Sequence, residues 1–295
     1  MQISGDSISI WVNSSHRKDL VVTHKQFSPE WRKVFFLVVP EDQYQDYKQY
    51  EKEGIRLITM PKNIPSYLPS QRQWVIENAE SDHVFIMDDD LQFYKRRDDL
   101  KLRVATTHDV EDMMTAVRIH LMDTNMVSIS SRYQNNLYPT EYKENARCSR
   151  CYTVDRHIFL NKLHCTKCDS KGGFRYNPME PFVHEDMWLV LHWFHNGYTN
   201  RQLYNYAQSD KGTNTKGGCS LYRTPDVQQE SAFFVQEHFP DIIKVSRKIT
   251  KGTWSGFDKN QAGENVRTDM TIQWAKAFKP RVKKEDAITR FFGKK

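Results

Sequence analysis

Short apolar runs alternate with longer, more polar stretches along the first half of the chain. Ser7 to Val12 (SISIWV) is apolar and β-branched and predicts a first strand. Lys33 to Val39 (KVFFLVV) predicts a second, stopped by Pro40, and Ile55 to Met60 (IRLITM) a third, closed by Pro61. His83 to Met87 (HVFIM) predicts a fourth, which runs directly into Asp88, Asp89 and Asp90. Met126 to Ser130 predicts another. Between these lie helical patterns. Glu41 to Glu53 is polar with Tyr44, Tyr47 and Glu51 on one face, and Gly54 ends it. Pro69 to Ala79 reads as a helix that starts at a proline. Thr107 or Asp109 caps a helix with Val110, Met113, Met114, Val117 and Leu121 on one face. Strands alternating with helices predict an α/β fold, a mixed, mostly parallel sheet flanked by helices.

The middle, from Ser131 to Pro181, is irregular and holds most of the cysteines, several tyrosines and the Gly172-Gly173 pair. Apolar residues return from Glu185 to Asn196, a buried helix closed by Gly197. Gln208 to Ser220 is a polar, glycine-rich loop. Thr224-Pro225-Asp226 opens a further helix, which runs towards His238 and stops before Pro240. No repeat and no long linker interrupts the chain. One domain over residues 1–275 is expected, with a helical C-terminus and a basic tail over 276–295.

Composition narrows the class. The chain has 295 residues, 38% apolar and 27% charged, with only 12 Gly and 11 Pro, which excludes collagen-like and low-complexity chains. No stretch approaches the roughly 18 apolar residues of a membrane helix. The opening MQISGDSISIWVNSS lacks the basic start and apolar core of a secretory signal, so a cytoplasmic protein is expected. The net charge of +6 is uneven. Residues 276–295 carry eight Lys/Arg against Glu285 and Asp286, the whole excess of the chain. Such a tail suits a solvated terminus or contact with a polyanion such as DNA.

Four of the five cysteines form two C-x2-C hooks, Cys148/Cys151 and Cys165/Cys168, spaced as in a tetrahedral zinc site. Four thiolates leave no open position for water, so the expected zinc is structural, within a small insertion at about 145–170. Cys219 is left over as a small buried thiol.

The strongest chemical signal is VFIMDDD. An apolar strand delivers carboxylates to its C-terminal end, the edge where open α/β sheets bind ligands. Alternation puts Asp88 and Asp90 on one side. Two hard oxygen ligands there suit Mg²⁺ or Mn²⁺ holding a diphosphate. The second signal is His184-Glu185-Asp186 at the start of the buried helix. Acids are favoured there by the helix dipole, and one of them is a candidate general base. The third is Arg17, after strand one, and Arg72, in the helix before the aspartates, both candidates to reach a diphosphate. Lys216, in the glycine-rich loop, is a candidate point charge for donor phosphates. Tyr133, Tyr138, Tyr142 and Tyr152 are candidates to stack on a base or to pack around the cysteines.

In this order the motifs resemble GT-A glycosyltransferases. A first strand ends in S-x-x-R with Thr23 beyond it. An Arg-bearing helix, a DDD strand end and an E-D opening a late helix follow. Within that group the chain looks most like phage enzymes that glycosylate hydroxymethylcytosine in DNA, and their TET/JBP-associated relatives. The resemblance spans roughly Ile8 to Tyr206. It implies that Asp88 and Asp90 hold a divalent metal and the UDP-sugar, leaving Asp89 unassigned. It implies Asp186 as the base of an inverting transfer, with Glu185 the alternative. Arg17, Thr23 and Arg72 fall with the donor site. The cysteine hooks are not part of the family pattern. Three other readings compete: the same chemistry on a protein or glycan, a nucleotidyltransferase, and a zinc-ribbon DNA binder. The stretch NSSHRKDL has no glycine for a nucleotidyltransferase phosphate loop, and a zinc ribbon leaves the acidic motifs idle.

Overall fold

The computed structural model describes residues 7–135, 139–165, 174–210, 218–251 and 257–278. The predicted strands form as β1 (Ile8–Asn13), β2 (Phe35–Pro40), β3 (Arg56–Met60), β4 (His83–Met87) and β7 (Val127–Ser131). Five more join them: β5 (Gln92–Arg96), β6 (Leu102–Val104), β8 (Tyr142–Glu144), β9 (Cys151–Asp155) and β10 (Arg201–Ser209). All ten make one sheet in the order β3-β2-β1-β4-β9-β7-β10-β5-β6, with β8 also paired to β10. The β3-β2-β1-β4 half is parallel, and β7 runs parallel to β10. β9 is antiparallel to both β4 and β7. The mixed, mostly parallel sheet flanked by helices is therefore present. The cysteine-bearing segment contributes a central strand, β9, to that sheet.

Alternation along each strand feeds two core layers. Ile10 and Val12 of β1 pack with Phe35, Leu37, Phe85 and the face of helix Thr107–Leu121 that carries Val110, Met113, Met114 and Val117. Trp11, between them, packs on the opposite side with Val75, Ile76, Ile86 and the Trp188/Trp193 face of helix Glu185–His195. The cap of helix Thr107–Leu121 is Thr106, one residue earlier than the pattern suggests. Its hydroxyl accepts from the Asp109 N–H while the Asp109 carboxylate accepts from the Thr106 N–H, a capping box.

The expected helical C-terminus is not borne out over the described residues. β11 (Ile243–Ile249), β12 (Asp258–Lys259) and β13 (Asn265–Ile272) form a separate antiparallel sheet in the order β11-β13-β12, followed by one helical turn, Trp274–Ala277. Arg, Lys, Asp and Thr interleave with Val, Met and Ile here. That is a strand pattern with one polar face. Most of the basic tail, 279–295, lies outside the described residues. Among the described residues no helix is long and apolar enough to cross a membrane.

Candidate functional site

The sheet order creates the site. The chain steps from β1 to β2 and β3 on one side, then returns to place β4 on the other side of β1. The carboxyl ends of β1 and β4 thus flank a topological switch point, the crevice where doubly wound sheets hold ligands. The ends are level, with Val12 opposite Met87. Asn13 ends β1, Ser14, Ser15 and Arg17 follow it, and Asp88, Asp89 and Asp90 follow β4. All of them line one cleft of about 650 Å³, together with Arg72, Glu185 and Asp186.

Three sequence-distant signals meet at Arg72. Helix Leu68–Asn78 turns this side chain inward, where it is 3% exposed. Nη2 donates to Asp88 Oδ1 at 2.7 Å and Nη1 to Glu185 Oε1 at 3.1 Å. One guanidinium therefore joins the aspartate strand end to the start of helix Glu185–His195. Burial pushes the Asp88 carboxyl up from its ordinary value, and Arg72 opposes that. Glu185 is shifted the same way, by the same two influences. Without Arg72, two carboxylates would sit in a poorly solvated cleft with much of their compensation gone.

Arg17 plays the matching role on the other side. Its Nη1 reaches Asp89 Oδ1 at 2.8 Å and its Nη2 reaches Asp90 Oδ2 at 2.6 Å. Asp89 also accepts from the Ser14 hydroxyl at 2.6 Å. Burial raises the Asp89 pKa to about 7 against the pull of Arg17 and Ser14. The turn that carries Arg17 is fixed by Tyr47, whose hydroxyl accepts from the Arg17 N–H at 2.9 Å and bonds the Ser14 hydroxyl at 3.0 Å. Asp89, unassigned by the motif, shares Arg17 with Asp90 and is also held by Ser14, whereas Asp88 and Asp90 have no serine partner among the described residues.

Asp186 and Glu185 divide the E-D motif. Glu185 is buried and committed to Arg72. Asp186 is half-buried on the cleft wall, where Oδ1 accepts from the Met187 N–H at 2.8 Å. His184, just before them, is lowered to about 4 by burial, so its ring is neutral near pH 7.

Several expectations are corrected. Thr23 is fully buried, and it does not face the cleft. Its hydroxyl donates to the Asp88 carbonyl at 2.7 Å and accepts from the Leu91 N–H at 2.9 Å, so it braces the aspartate turn. Among the described residues the expected zinc hook is not brought together. Cys148 and Cys165 lie in the Trp188 layer and Cys151 in the opposite one, because β9 points Cys151 and Tyr152 to opposite faces. Burial raises the Cys148 thiol to about 12 and raises Cys151 as well, which favours neutral thiols over thiolates. Among the described residues no three His, Cys, Asp or Glu side chains gather to hold a metal. Cys168 and Lys216 lie outside the described residues, as does Tyr138. Tyr152 is buried in the core beside Arg72 and bonds the Tyr176 hydroxyl, and Tyr142 packs on His120. Of the three described tyrosines, only Tyr133, 76% exposed, borders the cleft. Cys219 is half-buried at the cleft, where its sulfur accepts from the Tyr222 hydroxyl at 3.3 Å. His238 packs edge-on against Trp188. Asp210 lines the cleft and pairs with Arg150 at 3.1 Å.

Sequence reasoning missed Asn13. It is 8% exposed and lines the cleft, and neither its Nδ2 nor its Oδ1 has a partner among the described residues. A buried amide with both functions unspent points to a ligand. Its place at the end of a buried strand was the only available signal.

The sequence matches no protein-family model and no curated protein. Solved structures share the fold. A crystal structure of a mycobacterial protein superposes with a TM-score of 0.51 at 12% identity, over 94% of this chain and 90% of that one. Glucosyl-3-phosphoglycerate synthase from Mycobacterium tuberculosis, in complex with Mg²⁺ and UDP, gives 0.48 at 9% identity over 90% and 88%. The S. aureus TarS 1-349 structure in complex with UDP-GlcNAc gives 0.48 at 14% identity, and covers 78% of this chain. This chain spans 66% of that TarS fragment. At such identities the likeness is one of fold.

Proposed function

We propose that this protein is a divalent-metal-dependent, inverting glycosyltransferase that takes a sugar from a UDP-sugar. In its finer form, the acceptor is the hydroxyl of a hydroxymethylated base in DNA. The observation that carries the reading is the Arg72 bridge between Asp88 and Glu185 at the β1/β4 switch point. It unites a strand-end aspartate cluster with an acid pair at a helix start, in the crevice where this fold class binds nucleotides.

The residues fit a metal of the Mg²⁺ or Mn²⁺ type. Such ions are held by one or two carboxylates plus substrate phosphates, so Asp88 and Asp90 suffice without a third protein ligand. When bound, the metal supplies Lewis-acid stabilisation of the negative charge on the departing diphosphate. The chain's own groups do the rest. Arg17 stands beside the same carboxylates and offers fixed positive charge to the diphosphate. Asn13 offers one donor pair and one acceptor to a base edge, which suits uracil, itself both donor and acceptor. Arg72 holds Asp88 and Glu185 in register. Asp186 takes the proton of the acceptor hydroxyl as that oxygen bonds to the anomeric carbon. The bond from the anomeric carbon to the β-phosphate oxygen breaks, and its electron pair leaves with UDP. The DNA acceptor is supported by the basic tail and by the sequence resemblance. A base in a duplex must be extruded, or a single strand supplied, before its hydroxyl reaches Asp186.

A panel of UDP-sugars with Mn²⁺, offered with hydroxymethylcytosine DNA and read by nucleoside mass spectrometry, tests this reading. A sugar-shifted nucleoside that vanishes in Asp90→Ala supports both donor and acceptor. UDP release without a shifted nucleoside keeps the transferase and discards the DNA acceptor. Neither signal with any donor discards the transferase.

A further inference from the structure

The positive charge of the cleft divides unevenly. Arg17 is paired with Asp89 and Asp90, Arg72 with Asp88 and Glu185, and Arg150 with Asp210 at 3.1 Å. Three further arginines line the same cleft: Arg147, Arg223 and Arg267. Among the described residues no acid pairs with Arg147 or Arg223. Arg267 has only Asp269, two positions along its own strand, at 3.9 Å. The remaining cleft carboxylate is Asp186. Arg147, Arg223 and Arg267 are therefore the cleft guanidiniums not ion-paired to a cleft carboxylate among the described residues, and Arg223 also acts electrostatically on Glu185.

Their placement is built rather than incidental. Arg147 precedes β9, and its carbonyl accepts from Gln202 Nε2 of β10 at 2.7 Å. The Arg223 N–H donates to the Cys219 carbonyl at 3.0 Å, in the turn Gly218–Leu221 whose first N–H donates to Ser15 at 3.1 Å. Arg267 belongs to β13, where Gln228 of helix Pro225–His238 donates to the neighbouring Thr268 carbonyl at 3.5 Å. Three sequence-distant segments thus each bring an arginine to the cleft. Arg147 and Arg223 both act electrostatically on His184, which places their charge beside the E-D motif.

Guanidinium forks match phosphate oxygens in pairs, and three around one opening suit a phosphodiester better than a neutral glycan. We infer that Arg147, Arg223 and Arg267 bind a backbone phosphate of the acceptor strand, next to the nucleotide whose hydroxyl meets Asp186. This rests on the glycosyltransferase reading above and gives its acceptor a specific docking site within the cleft, separate from the tail.

The test uses the full chain and a single-stranded oligonucleotide containing hydroxymethylcytosine, with binding followed by fluorescence anisotropy over a range of salt. In the triple variant Arg147→Gln/Arg223→Gln/Arg267→Gln, affinity should fall about tenfold or more. The slope of log K against log salt should become shallower by at least about 0.7, the value for one phosphate contact on a single strand. UDP–Mn²⁺ binding should be unchanged, which also reports that the variant is folded. On the unmodified protein, a methylphosphonate beside the modified base should reproduce the loss, and the triple variant should lose nothing more from it. An unchanged slope and affinity in the variant, or indifference to the methylphosphonate, overturns the inference. So does competition at these arginines by a polyol phosphate when the strand itself does not bind. Absence of UDP–Mn²⁺ binding in the unmodified protein is a different failure, that of the glycosyltransferase reading.

Discussion

Arg17 Nη2 lies 2.6 Å from Asp90 Oδ2, so a protein cation sits on a carboxylate proposed for the metal. Charge neutralisation of the aspartate cluster does not wait for a ligand. Arg17 is 14% exposed and Asp90 4%, so water screens the pair weakly. Metal binding at Asp90 must compete with this guanidinium or push it towards the diphosphate. Arg17→Gln should therefore bind Mn²⁺ alone more tightly, by roughly tenfold or about 1.4 kcal/mol. The same variant should bind UDP more weakly with Mn²⁺ present, because it has lost a phosphate partner. Calorimetric titration of metal, then nucleotide, separates the two effects. A variant weaker for both would remove the competition from the account.

Arg72 should matter for folding as well as for the site. Truncation to Ala leaves Asp88 and Glu185 without their shared cation in a buried place, a change that costs about 3–5 kcal/mol. Urea unfolding measures it directly. Arg72→Lys keeps the charge but loses the fork that spans both acids, so it should recover only part of the stability. Full recovery by lysine would show that bidentate geometry is unimportant.

The two acids of the E-D motif should separate kinetically. Asp186→Asn should lower kcat by roughly 10²–10⁴ while leaving the donor KM nearly unchanged, as loss of a general base does. Glu185→Gln should mainly lower stability, since Glu185 is buried and bonded to Arg72. The reverse ranking would transfer the base role to Glu185.

The core contains a titrating group with a predictable sign. His192 is 2% exposed, and burial lowers its pKa to about 3. Its Nδ1 bonds the Trp188 carbonyl at 3.0 Å. The unfolded chain binds this proton near the ordinary pKa of about 6.5, and the folded chain does so far lower. Its contribution is thus complete above about pH 6.5 and is lost as pH falls towards 3. Replacement by Phe should flatten that part of the stability–pH curve. Denaturant midpoints from pH 7 to pH 4, for both proteins, check it.

The strands legible in sequence, β1, β2, β3, β4 and β7, are short runs rich in apolar and β-branched residues, and all but β3 are largely buried. β5 (QFYKR) and β10 (RQLYNYAQS) mix charge, amide and aromatic residues and stayed hidden, although β10 pairs with β5, β7 and β8. The aspartate cluster, the E-D pair and the two arginines were legible because strand ends and helix starts carry local signals. That one guanidinium joins Asp88 to Glu185 was not, since 113 positions separate Arg72 from Glu185. The cysteine spacing misled for a physical reason. Spacing describes distance along the chain, whereas strand β9 sends Cys151 to a different core layer from Cys148. Arg267 was invisible because the β13 strand that presents it was itself unrecognised.

Titration of UDP into the protein, with and without Mn²⁺, tests the central claim most directly. The account predicts binding that is strengthened by Mn²⁺, weakened in Asn13→Ala, and stripped of its metal dependence in Asp90→Asn. Binding of UDP that ignores both the metal and Asp90, or no binding under any of these conditions, would contradict it.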